Sequence, residues 1–409
     1  MPHDRFLSQL TSELAALDAR GNPKRHELVI EEVVPATGGF GPRYRVAGQT
    51  ANGGLFLKMN SNNYLGMNLR PEVIAAEEEA SRRFGAGPGA VRFISGTYAP
   101  HVELEAALAA FHGREAAMIF SAAYSAMIGV FTPLVTPETA IVSDELNHNC
   151  IINAIRLARP QEKRVYRHND IAELDARLSE VESCKRALVV TDGIFSMRGD
   201  EAPLPAIFAA ARKHDAAFPE NVVVIVDDSH GVGAFGATGR GTEEASGSGP
   251  ADVLIGTLGK AFGVNGGYVT GAAGLIDFLR ESAPTYIYSN PITPAEAAAA
   301  KKAVEILDGP DGKGLLAHLA ARTRQFREGL IRLGFETLQG THPVVPLFVR
   351  DTPKTTALVR HLLKHGVLAT GLNFPVVPKG DETIRFQISA DHTDKDIDFV
   401  LDVLAGFGG

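Results

Sequence analysis

Residues 221–230 read NVVVIVDDSH. Val222 to Val226 are all apolar and β-branched, which suits a strand buried on both faces. The polar residues Asp227 to His230 then mark where such a strand surfaces. Comparable runs lie on either side: AAMIF (116–120), TAIVSD (139–144), RALVVTDG (186–193), ADVLIGT (251–257) and GGYVTGA (266–272). Helical patterns separate them, at Val102 to Phe111, Asn149 to Ala158, Ile171 to Leu178 and Leu204 to His214. The alternation predicts an α/β fold with a mostly parallel sheet covered by helices.

Outward from this block the pattern changes. Phe6, Leu7, Leu10, Leu14 and Leu17 recur at helical spacing, so residues 4 to about 20 predict an amphipathic helix. A Gly- and Pro-rich stretch follows to about residue 54. From Pro294 a long Ala/Lys/Leu-rich helical region leads to VVPLFV (344–349), the helical TTALVRHLLKHG and the strand-like TIRFQIS. The expected organisation is an arm (1–58), a large domain (59–293) and a smaller C-terminal α+β domain (294–409).

With 409 residues and 45% hydrophobic content, the chain can bury a large core. A formal charge of −8 speaks against nucleic acid or an anionic membrane as partner. No apolar stretch is long enough for a membrane span. The polar N-terminal segment lacks the apolar region of a signal peptide, so the cytoplasm is the expected location. Cys150 and Cys184 read as ordinary reduced thiols, and no spacing of ligands supports a metal site.

Two nucleotide-like strings fail on context. Gly231-Val-Gly233-Ala-Phe-Gly236 follows a strand, but the next residues make a turn-rich loop where a dinucleotide site needs a helix. Gly259-Lys260 resembles the end of a phosphate loop, yet Leu254 and Ala261 break the motif at both ends. What remains is a set of polar residues at the carboxyl ends of the strand runs: Ser143 to His148, Thr191 to Met197, Asp227 to His230, and Thr257 to Lys260. Open α/β sheets bind ligands there. Taken singly, each has an ordinary reading as a cap, a structural histidine or a solvated lysine. Together they supply an amine able to form an imine, an acid for a ring nitrogen and hydroxyls for a phosphate. Those are the requirements of pyridoxal phosphate (PLP).

Asn62-Asn63-Tyr64-Leu65-Gly66, Val91 to Thr97, Ser143-Asp144 through His148, Thr191 to Met197, Asp227 to His230, Gly256 to Lys260 and Pro375 to Gly380 resemble, in order, the α-oxoamine synthases. Those enzymes condense an amino acid with an acyl-CoA on fold type I of the PLP-dependent transferases. Val91-Arg92-Phe93, Phe195-Ser196-Met197 and Phe374 to Lys379 are similar to the glycine C-acetyltransferase branch. The resemblance implies a PLP Schiff base on Lys260, Asp227 facing the ring nitrogen with Asp228 as the alternative, and His148 over the ring face. It further implies His230 and Ser196 at the phenolic edge. Ser121, Ala123, Tyr124 and Thr257 would hold the phosphate, with Ser289 and Asn290 reaching it across a homodimer interface. Arg385, assisted by Asn62, would bind the amino-acid carboxylate.

The implied reaction joins a small amino acid, glycine first, to acetyl-CoA or another short acyl-CoA. Serine palmitoyltransferase-like and 8-amino-7-oxononanoate synthase-like condensations are the alternatives, followed by an aminotransferase or aldolase. The sequence departs from the family pattern at Ala123-Tyr124, at Gly87 to Ala90, at Asp391 and along Leu28 to Lys58.

Overall fold

The computed structural model describes residues 3–19, 25, 27–374 and 377–408. Pro375 and Val376, at the start of one family-like motif, lie outside the described residues. At the centre is a seven-stranded sheet. From edge to edge its strands are Ala116–Phe120, Gly267–Gly271, Val253–Thr257, Val222–Asp227, Arg186–Asp192, Thr139–Asp144 and Glu162–Tyr166. Gly267–Gly271 runs antiparallel to both neighbours, and the remaining pairings are parallel.

The apolar runs are continuous because the sheet is covered twice. Leu188, Val190, Ile225 and Ile255 pack with helices Ala123–Leu134 and Asn149–Ala158. Their neighbours Ala187, Val189, Val224 and Val226 point the other way, against Ile171–Ser179 and Leu204–His214. Glu162–Tyr166 is a strand that apolar runs do not reveal. It is an edge strand whose residues alternate between half-buried and exposed up to the buried Tyr166, and its charges guard an open edge.

The arm also holds more structure than its composition predicts. Antiparallel strands Ile30–Val34, Arg43–Val46 and Leu55–Lys58 are joined through Leu57 to Val367 of the C-terminal block, in parallel. These strands have four or five residues each, too few to show a period between Gly-rich turns. The helix Asp4–Ala19 forms, with Phe6, Leu7, Leu10, Leu14 and Leu17 all exposed in the single chain.

Thr293 and Glu296 form a reciprocal cap that starts the helix Pro294–Asp308. Its Ala297, Ala300 and Ala303 are small enough to bring it close against helices Pro71–Phe84 and Ala99–His112. Beyond it, Val344–Phe348, Thr383–Gln387 and Thr370–Leu372 form an antiparallel sheet with Thr383–Gln387 in the middle. Ile384 and Phe386 enter the core of this block. Strand alternation therefore turns Arg385, between them, to the other face. No described helix is long and apolar enough to cross a membrane.

Candidate active site

A cavity of about 250 Å³ opens at the carboxyl ends of the strands that close on Asp192, Asp227 and Thr257. Lys260 reaches it from the loop after Thr257. Ala123, Tyr124, His148 and Cys150 reach it from the starts of two helices. A larger groove of about 720 Å³ lies at the opposite ends of the same strands. Its charges are spent on protein: Arg186 pairs with Glu220 at 2.6 Å, and Asp252 accepts from the Val224 N–H at 2.7 Å. The smaller cavity is where reactive groups converge.

Lys260 sits beside Asp227 and Asp192. Burial lowers its amine to about 8, against the pull of the two carboxylates. Burial also raises the Asp192 carboxyl well above its usual range, and the Asp227 charge adds to it. Asp192 Oδ2 accepts from the His148 N–H at 3.0 Å, while its own N–H donates to Asn147 Oδ1 at 2.8 Å. These bonds fix where the helix Asn149–Ala158 begins, and with it the His148 ring. His148 caps that helix by accepting from the Cys150 N–H at 3.2 Å. Asp227 is held on two sides: Oδ1 accepts from the Ser229 N–H at 3.1 Å, and Oδ2 lies 3.5 Å from Cys150 Sγ.

His230 is buried, and burial together with the Lys260 charge holds its pKa well below the usual range, so the ring is neutral. Its Nδ1 lies 2.8 Å from the Tyr64 hydroxyl. That contact leaves Nε2 for a ligand.

One end of the cavity suits a phosphate. The helix Ala123–Leu134 starts there with no side-chain cap, so its first N–H groups are free to bind an anion. Gly267 permits this start: a Cβ on it would lie 2.2 Å from the Ala123 nitrogen. Thr257 Oγ1 is nearby, accepting from the Gly259 N–H at 3.2 Å. Ser229 Oγ lines the same cavity, buried and without a hydrogen-bond partner among the described residues. A buried hydroxyl in that state is usually spoken for by a ligand or water. These features fit PLP.

Arg385 comes from the C-terminal sheet. Nη1 donates to the Ser196 carbonyl at 2.7 Å. The Gln387 amide is best satisfied with its oxygen accepting from Nη2 at 2.6 Å and Nε at 2.8 Å. Burial depresses the guanidinium pKa. Among the described residues no carboxylate pairs with it, so a half-buried cation is held only by neutral acceptors. That is an expensive arrangement unless an anion arrives.

Asp228 faces away from the cavity. Its oxygens accept from Thr242 N–H at 2.7 Å and Thr242 Oγ1 at 2.6 Å. Cβ atoms added at Gly193, Gly231 or Gly241 would approach it to 2.0–2.3 Å. Of the other residues singled out from sequence, Ser196 lines the cavity, whereas Ser121 and Asn62 stand behind its lining. Asn62 Oδ1 is 3.4 Å from the Tyr64 hydroxyl, and Ser121 Oγ is 3.4 Å from Ser125 Oγ. Ser289 is half-buried and Asn290 exposed, both outside the single chain's cavity. Sequence reasoning gave no role to Asp192, Cys150, Ser229 or Tyr64. The D-x-x and H-x-C spacings at strand and helix ends were the available signal.

The family described as aminotransferase class I and II matches residues 56–404. The chain is 40% identical to human "2-amino-3-ketobutyrate coenzyme A ligase, mitochondrial" over 98% of this chain and 91% of that one. It is 41% identical to "8-amino-7-oxononanoate synthase" of Thermosipho melanesiensis over 85% of this chain and 86% of the relative. Among solved structures, a serine palmitoyltransferase from Sphingomonas wittichii superposes with a TM-score of 0.87 at 29% identity, covering 99% of this chain and 98% of that one.

Proposed function

The chain belongs to the aminotransferase class I and II family, and from that premise we propose that it condenses glycine with acetyl-CoA or another short acyl-CoA. It is a PLP-dependent acyltransferase of the α-oxoamine synthase group, joining an amino acid to an acyl-CoA with release of CoA. The observation that carries the amino-acid substrate is Arg385, a cation without a carboxylate partner among the described residues, bonded to the carbonyl of Ser196 at the edge of the cavity. Such a cation favours an amino-acid carboxylate, and the 40% identity to a 2-amino-3-ketobutyrate coenzyme A ligase favours glycine with a short acyl donor.

PLP, when bound, supplies an electron sink for charge released at the substrate α-carbon. Lys260 would hold it covalently through Nζ and then carry the α-proton; an amine lowered to about 8 can do both near neutral pH. Asp227 would face the ring nitrogen and His148 the ring plane. Neutral His230 would donate to the phenolic oxygen, with Ser196 alongside. The N–H groups of Ala123 and Tyr124, with Ser121 and Thr257, would hold the phosphate. Ser289 and Asn290 would complete that site for a second copy in a two-fold homodimer, which explains why they stand outside the cavity of the single chain. Arg385, with Asn62 and Gln387 behind it, would grip the carboxylate and orient the bond to be broken.

The test is a matrix of glycine, alanine and serine against acetyl-CoA and a long acyl-CoA, read as free thiol and product mass. Glycine with a short donor should dominate. Turnover only with serine and a long acyl-CoA would overturn the substrate choice. Arg385→Lys should weaken glycine use by roughly 10-fold or more, since lysine keeps the charge and loses the two-pronged geometry. A cytoplasmic location belongs to this proposal as well; the human relative's name is mitochondrial, and cell fractionation decides.

A further inference from the structure

We propose that Cys150 is a positioning residue for the cofactor site: its thiol donates to Asp227 and fixes where that carboxylate points, so that the proton stays on the cofactor's ring nitrogen. The inference rests on the reading that Asp227 faces that nitrogen.

The geometry of donors and acceptors leads to this role. Cys150 Sγ lies 3.5 Å from Asp227 Oδ2 and 3.0 Å from His148 Nδ1. The thiol has one proton and must choose between them. His148 Nδ1 has one in-plane lone pair, and the Cys150 N–H already points at it from 3.2 Å. That leaves Asp227, whose carboxylate has acceptor capacity beyond the bond from the Ser229 N–H. Cys150 is buried beside Asp227 at the wall of the cavity. Burial and the Asp227 charge both raise the thiol's pKa, so it keeps its proton and acts as a donor.

The other groups around Asp227 give the bond its importance. Asp192 stands directly opposite on the neighbouring strand, where burial and then the Asp227 charge raise its carboxyl well above the usual range. His148 and Lys260 line the remaining sides. A hydrogen bond donated to one carboxylate oxygen fixes the plane of the group and so the direction in which the other oxygen points. Cys150 also sits on the second residue of the helix that His148 caps, so its Cα is fixed by the same turn that places the ring.

The experiment loads wild type, Cys150→Ser, Cys150→Ala and Asp227→Asn with PLP labelled by ¹⁵N in the ring. Two quantities are measured: the nitrogen chemical shift, and exchange of the glycine α-proton. Wild type and Cys150→Ser, which keeps a donor, should both show the protonated shift. Cys150→Ala should move toward the unprotonated shift and exchange about five- to ten-fold more slowly, the worth of one ordinary hydrogen bond, because the thiol is a weak donor. A protonated shift with wild-type exchange in Cys150→Ala overturns the inference. So does a Cys150→Ser protein that behaves like Cys150→Ala, since the effect would then follow from packing rather than from the donor. Asp227→Asn separates the two readings. If its shift is unmoved, the placement of Asp227 itself fails. If its shift moves while that of Cys150→Ala does not, only the role of Cys150 fails.

Discussion

Asp227 and Asp228 are neighbours in sequence and opposites in surroundings. Asp227 closes a buried strand and looks into a cavity with a lysine, two histidines and an unpartnered hydroxyl. Asp228 points the other way, into a cage of Gly193, Gly231 and Gly241 tied off by Thr242. Strand alternation alone separates them. One carboxylate is poised toward groups that change charge, and the other toward backbone that leaves no room for change. Damage on the cavity side should therefore cost chemistry and spare folding. Damage on the cage side should do the reverse.

The largest effect expected on the cavity side is at Lys260. Lys260→Ala should leave a folded protein that borohydride cannot couple to PLP, with turnover down by three orders of magnitude or more, roughly the scale of losing a covalent catalyst. Mass spectrometry of reduced protein locates the adduct. An adduct elsewhere in wild type would dissolve the comparison. Asp227→Asn comes next. α-Proton exchange should fall roughly 10²- to 10³-fold, because a fixed charge is lost where electrons collect. The thermal midpoint should hardly move.

The two sides also differ in how far sequence alone reveals them. The central strands were legible because burial on both faces removes the polar half of a strand's alternation, leaving runs such as Val222 to Val226. Asp227, His230 and Lys260 stood out as candidates from their places at the ends of such runs, and the structure brings them to one cavity. The edge strand Glu162–Tyr166 was hidden because one-sided exposure gives it charges, and the arm strands because they are too short to show a period. Asp192, Tyr64 and Cys150 were not assigned a role, since each acts by touching a residue distant in the chain. Tyr64 meets His230, 166 positions away. That Arg385 has only neutral acceptors among the described residues could not be read at all, because a missing carboxylate partner is a property of packing. The cage around Asp228 was invisible for the same reason: its glycines sit in three separate segments.

On the cage side, Gly231→Ala should be the more damaging change. Its Cβ would lie 2.1 Å from Asp228 Oδ1, and the chain there turns on the Gly231 N–H bond to the Asp228 carbonyl at 3.0 Å. A destabilisation of about 1–3 kcal/mol is expected, typical of overpacking in a rigid site. It should appear as a lower thermal midpoint and a reduced yield of folded protein. PLP content per folded molecule should stay near that of wild type. An unchanged midpoint with PLP lost would mean that the cage and the cavity are one unit.

The smallest effect should come from Asp228→Asn, and it tests the comparison most closely. Burial raises the Asp228 carboxyl to about 8, with the Thr242 hydrogen bonds opposing the rise. An unfolded aspartate ionises near 3.9, so between about pH 4 and pH 8 the folded chain keeps a proton that the unfolded chain has lost. The stability this group contributes is therefore complete at the acid end of that window, declines as pH rises through it, and is level beyond it. Asparagine copies the protonated acid: its oxygen can accept from the Thr242 N–H and its amide nitrogen can donate to Thr242 Oγ1. It cannot ionise. Relative to wild type, the variant should thus gain stability on going from about pH 5.5 to about pH 8.5, measured as the difference in urea midpoints at each pH. Exchange of the glycine α-proton should fall less than about two-fold, because no charge facing the cavity has been removed. Midpoints that track wild type in parallel would show that Asp228 is not the titrating group. A collapse of exchange in Asp228→Asn, with Asp227→Asn mild, would exchange the roles of the two carboxylates.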